Sequence, residues 1–445
     1  MGKPSVVFTF EEMVESLRKA VDLFPDTRTG KNTQYEMMDA AAGAFSVFFT
    51  QCPSFLEYQK LMEKRYGLSN AGTLFGIKDI PTDNHIRELL DPVAPQALTP
   101  VFERCFDALL KSHDLDTFRV PLGKESNDIL IALDGTEYHS SETIRCDNCS
   151  ARSRDGQMRY LHSMVTPTVV RPGKNTVVSL PPEFIIPQDG ATKQDCEQNA
   201  AKRWIEKHGG KYAAQGATVL GDDLYCHEPM ARLFLEQGFN FILVCKPESH
   251  KTVYEWVKGI AREHVEDRFD GKTHQIYTYN SVEGVPLRDG KDSLLVNFVE
   301  VTVTDRKTGK QLYHNAFVTN HQITPDTVAT IIVSGRTRWK IENENNNTLK
   351  TQGYHLEHNF GHGKHYLSML LATMNILAFL FHTMLEFMNG KYKLLRKVIG
   401  ARVRLFNDIR TLLSYHCYKS FNNLLDFMIA GLKKPHNLED LRYPL

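Results

Sequence analysis

The chain has 445 residues, 42% hydrophobic and 24% charged, with 53 lysines and arginines against 53 aspartates and glutamates. This is a soluble globular composition, long enough for a sizeable core and roughly two to four structural units. With no net charge, a nucleic-acid surface would have to come from local asymmetry. Eight cysteines, of which only Cys146 and Cys149 are closely paired, exclude a secreted disulfide framework and fit a reducing cytosol. Met1 to Phe10 has no apolar signal core behind a basic start, so no export is expected. Tyr366 to Met388 approaches membrane-spanning length, but Asn375, His382 and Glu386 interrupt it. A buried core helix is expected there, and no membrane partner.

Residues 1–120 read as helical, with amphipathic runs from Phe10 to Phe24, Tyr35 to Arg65 and Pro100 to His113. Thr82-Asp83-Asn84 precedes the run His85 to Leu90, a capped helix that could belong to a helix-turn-helix. From Asp128 the pattern changes. Ile129 to Leu133 is a short apolar run stopping at Asp134-Gly135, as a buried central strand would. Further β-rich runs cover Leu161 to Val170 and Thr176 to Leu180, and a helix with a capping-box-like start at Thr192 continues through Trp204. Ala217 to Gly221 forms a second buried strand ending in Asp222-Asp223, followed by a helix, Pro229 to Gln237, and a strand, Phe241 to Cys245. This order predicts a mixed α/β sheet. The β-prone runs Gln275 to Tyr279, Leu294 to Val303 and Leu312 to Val318 read as an insertion. A long helix, Asp326 to about Thr351, a His/Gly-rich bend, the apolar helix and basic C-terminal helices complete the chain. The expected regions are a helical N-terminal region (1–120), a first core segment (121–250), a β-rich insertion (251–320), a second core segment (321–389) and a basic C-terminal region (390–445).

Carboxylates at the ends of buried strands are costly unless a charge compensates them, and divalent cations do so well. If their strands are neighbours, Asp134 and Asp222 face each other, and a third carboxylate from a packed helix would complete an oxygen cage for two magnesium ions. The helix containing Arg338-Trp339-Lys340-Ile341-Glu342 supplies it. Asp222 is favoured over Asp223 because it directly follows Gly221. Glu342 is favoured over Glu344 because it shares a helix face with Arg338 at i, i+4 spacing.

Strand-Asp-Gly, strand-Asp-Asp, a β insertion and Arg-x-x-x-Glu together resemble the DDE transposases of bacterial insertion sequences with the Tyr-Arg-Glu-Lys signature, over roughly residues 128–365. The resemblance implies a ribonuclease H-like mixed sheet core interrupted by a β insertion, with helical N- and C-terminal regions. It also implies two magnesium ions, replaceable by manganese, held by Asp134, Asp222 and Glu342, and cleavage and strand transfer at transposon ends. Arg338 matches the signature Arg. Gly335 stands where the signature has Tyr, and Lys350 falls one residue later than the signature Lys; on a regular helix this turns Lys350 roughly 80° from the face of Arg338 and Glu342. The implied partners are double-stranded DNA, as transposon ends and target, and a second copy of the chain in a synaptic dimer. The implied location is the bacterial cytoplasm, at the nucleoid. Rival expectations are a transposase-derived DNA-binding protein that no longer cuts, and a nuclease of the same core that cuts without joining.

The basic stretch Lys391, Lys393, Arg396, Lys397, Arg402, Arg404 and Arg410, opposed within it only by Asp408, reads as a cationic face; Arg396, Lys397, Arg402 and Arg404, with Arg338 and Lys350, are the candidate DNA contacts. Cys146-x2-Cys149 followed by His162 has zinc-ligand spacing, with His139 the candidate fourth ligand of a structural zinc. His355, His358, His362 and His365 lie in a bend broken by Gly353, Gly361 and Gly363 and receive no role. Lys193, Arg203 and Lys246 could touch phosphate but are more simply helix- or strand-end charges. No Gly-rich phosphate loop, Gly-x-Ser-x-Gly or dinucleotide fingerprint is present, so nucleotide hydrolysis and acyl transfer lack support.

Overall fold

The computed structural model describes residues 8–29, 34–62, 68–124, 126–154, 156–187 and 195–433. The chain forms two compact units, one of Met1–Leu115, Glu137–His162 and Asn347–Leu445, the other of Asp116–Thr136 and Ser163–Asn346. The strands in chain order are β1 (Val120–Pro121), β2 (Asn127–Ala132), β3 (Gly135–Ser141), β4 (Ser150–Arg154), β5 (Gln157–Val165), β6 (Thr168–Arg171), β7 (Lys174–Ser179), β8 (Glu183–Ile185), β9 (Ala217–Gly221), β10 (Asn240–Val244), β11 (Arg262–Phe269), β12 (His274–Pro286), β13 (Leu295–Asp305) and β14 (Gln311–Thr319).

The first unit is mainly helical. Its central helix, Leu367–Met388, is long and apolar enough to cross a membrane, yet 94% of its most apolar window is buried. It packs on helix Met37–Phe49, with the Phe45 and Phe381 rings 5.0 Å apart. Each polar interruption finds a partner inside, as buried polar groups must. Asn375 donates to Tyr354 O (2.7 Å), His382 Nε2 donates to Phe49 O (3.0 Å), and Glu386 accepts from Arg396 and Arg402. The run expected from Tyr35 to Arg65 is broken: Gln51 takes φ 54°, Pro53 follows, and Ser54 caps a second helix, Phe55–Leu61, by accepting from Glu57 N. Residues 63–65 of that run lie outside the described residues. The Thr82-capped helix spans Asp83–Leu90; its Ile86, Leu89 and Leu90 are buried and Arg87 donates to Phe360 O (2.9 Å).

The second unit holds the main sheet, in the order β11-β12-β13-β14-β10-β9-β2-β6-β7, with β1 beside β2. β2, β9 and β10 are mutually parallel, whereas β6, β7 and β14 run antiparallel to their neighbours. β2 and β9 are buried on both faces, which explains their unbroken apolar runs. At their starts the buried Asp128 accepts from Thr218 (2.6 Å), Asn240 (2.8 Å) and Ser126 (2.8 Å), tying β2, β9 and β10 together. The fold is therefore mixed α/β, with helical regions at both ends of the sequence.

Two further expectations need correction. The run Leu161 to Val170 is two strands, β5 and β6, because Pro167 has no N–H for a continuous ladder. Within the expected insertion, 251–320, a helix, Lys251–Val257, and a further strand, β11, precede the three β-prone runs, and β11–β14 extend the main sheet beyond β10. β11 escaped notice because it is a charged, exposed edge strand with no apolar alternation. The long helix from Asp326 is also broken, into Val328–Arg336, a turn at Thr337-Arg338, a π-helical segment Ile341–Asn346 and a last α-helical turn, Asn347–Thr351. The helix after β8 spans Glu197–Ala213; the start expected at Thr192, and Lys193, lie outside the described residues.

Candidate active site

In the second unit, β2 and β9 pair in register with Ala132 opposite Leu220, so Asp134 and Asp222, each two residues further on, leave the sheet level with each other. Both are partly exposed. Asp222 Oδ1 accepts from Leu224 N (2.9 Å) in the turn that follows. Asp223 is consumed by structure: it accepts from Lys246 N (2.8 Å) and Ser249 Oγ (2.6 Å) and lies 3.3 Å from His250. Lys246 thus contributes its backbone amide here.

The π-helical segment carries Glu342 to the same place. Its buried Asn345 accepts from Ser179 on β7 (2.7 Å), while Asn346 accepts from Thr166 (2.8 Å) and reaches Asp134 Oδ2 at 3.4 Å. Arg338 joins the carboxylates: Nη2 donates to Glu342 Oε1 at 2.8 Å and Nη1 lies 3.5 Å from Asp134 Oδ1. Arg338 Nη1 is buried without a hydrogen-bond partner, while the Glu342 side chain is 50% exposed. The Gly335 position has a local cause. A Cβ there would lie 2.7 Å from the Phe317 ring and 3.0 Å from Ile242, so helix Val328–Arg336 approaches β10 and β14 too closely for a side chain. The π-helical segment breaks the regular-helix spacing on which the expected offset of Lys350 rests. In the first unit, Lys350 pairs with Glu357 at 2.9 Å.

Sequence reasoning missed a fourth carboxylate. Glu197, first residue of its helix, accepts from Gly135 N (3.0 Å) and from the buried Tyr225 hydroxyl (2.8 Å). Burial pushes the Asp134 carboxyl up to about 7; Arg338 opposes this, and Glu197, Glu342 and Asp222 add to it. Burial also raises Glu197, with Asp222 adding to the rise. The signal in the sequence was Gly135 itself, where a Cβ would fall 2.3 Å from Glu197 Oε2. Gly135→Ala is accordingly expected to cost about 1–3 kcal/mol in denaturant unfolding, and Glu197→Ala in the same chain should recover part of it. A Gly135→Ala chain as stable as the parent would refute this close packing.

The first unit contains a different cluster. Cys146, Cys149, His162 and His362 bring one ligand atom each within 4.8 Å of one another. His139 is not the fourth member. Its ring stands 4.8 Å from that of His362 and 5.8 Å from that of His162, outside the ligand set. Among the described residues, the other such set is Cys226, Cys245 and His250, and the carboxylates do not form so tight a group.

The cationic C-terminal face is also largely spent on structure. Arg396 and Arg402 both pair with the half-buried Glu386, at 2.9 and 2.7 Å, and Arg410 donates to Thr50 O and Gln51 O. Arg402 is only 12% exposed and so unavailable to DNA. Lys393, Lys397 and Arg404 remain exposed. Arg203 is likewise internal, pairing with Glu183 and Asp195.

No protein-family model matches this sequence, and no curated protein matches it.

Proposed function

We propose that the chain is a metal-dependent DNA transposase of the DDE type. The observation that carries this reading is the convergence of Asp134, Asp222 and Glu342, two from the ends of adjacent parallel strands and one linked to Asp134 through Arg338. The order β7-β6-β2-β9-β10, an antiparallel pair beside three parallel strands, supports a ribonuclease H-like core, with β11–β14 as its insertion. Asp134, Asp222 and Glu342 offer only hard oxygen donors, which suit magnesium or manganese. Burial first, and then the carboxylates of Glu197, Glu342 and Asp222, raise the Asp134 pKa despite Arg338, so a cation bound there would compensate a charge the site otherwise disfavours. When bound, two such ions would activate the attacking water or 3′ hydroxyl and stabilise the leaving oxygen.

The chain's own residues set up this chemistry. Asn346 and Arg338 orient Asp134, Arg338 holds Glu342 one helical turn away, and the Leu224 amide fixes Asp222. Glu197, held by Gly135 N and Tyr225, adds negative charge at the rim and strengthens the demand for a cation. The substrate is double-stranded DNA, first as the element's ends and then as target. The exposed Lys393, Lys397 and Arg404 are C-terminal cations placed to meet phosphate. A dimer would hold two ends together, in the cytoplasm of a bacterium.

The test is magnesium-dependent cleavage and strand transfer on DNA carrying the element's own ends. Asp134→Asn, Asp222→Asn and Glu342→Gln should each lose both steps by about a thousandfold or more while still binding ends. A parent chain that binds ends without cutting would instead favour a DNA-binding protein derived from a transposase. Cutting without joining would favour a nuclease.

A further inference from the structure

We propose that Cys146, Cys149, His162 and His362 bind one structural zinc ion that fastens the loop around His362 to the β4–β5 hairpin within the first unit. Four of the six donor–donor distances match the edges of a zinc tetrahedron, and all four donors lie within 4.8 Å of one another. Zinc–sulfur and zinc–nitrogen bonds of about 2.3 and 2.0–2.1 Å set tetrahedral edges of about 3.8 Å between sulfurs and about 3.6 Å between sulfur and nitrogen. The Cys146 and Cys149 sulfurs are 3.9 Å apart, and each approaches His162 Nε2, at 3.5 and 3.4 Å. Cys149 Sγ lies 3.5 Å from His362 Nε2, a residue 213 positions away in sequence. Three of the four residues are buried, His162 almost completely.

The supporting structure holds this arrangement in place. Cys146 and Cys149 bracket a tight turn in which Cys149 N donates to Cys146 O (3.1 Å) and Cys146 N donates to Cys149 Sγ (3.4 Å). On the other side, the Asp91 carboxylate accepts from the amides of Lys364, His365 and Leu367, fixing the loop just after His362. Glycines on both sides of His362 make the fit possible. A Cβ at Gly363, whose φ is +70°, would meet Asp91 Oδ1 at 2.2 Å, and one at Gly361 would meet Leu367 at 2.9 Å. Asn148, inside the Cys-x2-Cys turn, donates to His365 O at 2.6 Å, closing the same gap by a second route. A solvated Cys-x2-Cys turn would need none of these constraints, whereas a closed Cys2His2 ligand set needs all four side chains oriented at once. The proposal is independent of the carboxylate reading, because it concerns other residues in the other unit.

The test uses the full-length chain, purified from zinc-replete culture and freed of loose metal. Elemental analysis should find about one zinc per chain. Cys149→Ser and His362→Ala should lose it, while His139→Ala and Cys226→Ser should keep it. Cobalt(II) exchanged into the parent chain should give the intense visible bands of a tetrahedral ion with two thiolate ligands, a readout that survives if the ligand variants fail to fold. A parent chain without zinc, a Cys146–Cys149 disulfide in its place, or six-coordinate cobalt would overturn the proposal. So would retention of zinc by His362→Ala together with its loss from His139→Ala.

Discussion

Asp134→Asn is expected to make the metal-free protein more stable at neutral pH, by up to about 4 kcal/mol, while weakening its response to magnesium. The Asp134 carboxyl titrates near 7 in the folded chain, against an ordinary 3.8. A carboxyl raised in this way favours its neutral form in the fold. Its contribution to stability is therefore intact below about pH 4 and is lost as pH rises through the folded pKa near 7. The asparagine variant lacks that loss, so parent and variant should be about equally stable at pH 3.5 and should diverge between pH 4 and 7. Thermal unfolding across this range measures the difference. Added magnesium or manganese should raise the Tm of the parent at pH 8, because a cation compensates the desolvated Asp134 charge, but should raise that of the variant much less. A difference in stability that does not change with pH would refute the electrostatic account of this site.

Arg402→Ala is expected to cost about 2–3 kcal/mol, less than the scale for stranding one partner of a fully buried ion pair because Arg396 still holds Glu386. The Arg402 side chain is 12% exposed, donates to Glu386 at 2.7 Å and lies with its guanidinium 5.0 Å from the Phe379 ring centroid. Burial would raise the Glu386 carboxyl, but Arg402 and Arg396 hold it below the usual range. Removing Arg402 leaves Glu386 to Arg396 alone. The double replacement Arg402→Met, Glu386→Leu should recover most of the loss, since an apolar pair of similar volume removes both desolvated charges. Denaturant unfolding of the two variants decides the matter: an Arg402→Ala chain within about 1 kcal/mol of the parent would mean that the pair is solvent-screened.

The same residue shows where reading the sequence fails. A run of cations within a few turns looks like one charged face when only spacing is known. Arg402 and Arg396 instead point to an acidic side chain on helix Leu367–Met388, and Arg410 to the backbone carbonyls of Thr50 and Gln51. Neither partner is encoded in the local pattern. The apolar helix Leu367–Met388 is the opposite case. Its length and its three polar interruptions already pointed to a buried core helix, because each interruption needs a partner that a lipid surface does not supply.

By itself, the sequence determined two buried strands, read as Ile129 to Leu133 and Ala217 to Gly221 and found at Asn127–Ala132 and Ala217–Gly221, the carboxylates after them, the Arg338–Glu342 spacing and the Cys146, Cys149 and His162 pattern. These features are local: hydrophobic runs set strand burial, and helix and turn geometry sets which neighbours meet. Only the tertiary structure decided that Glu197 stands beside Asp134, that Asp223 is tied to Lys246 and Ser249, and that His362 rather than His139 completes the cysteine–histidine set. Those choices join segments tens to hundreds of residues apart. The packing that brings such segments together leaves no period or spacing in the chain, only isolated marks such as Gly135, Gly361 and Gly363, where no side chain would fit.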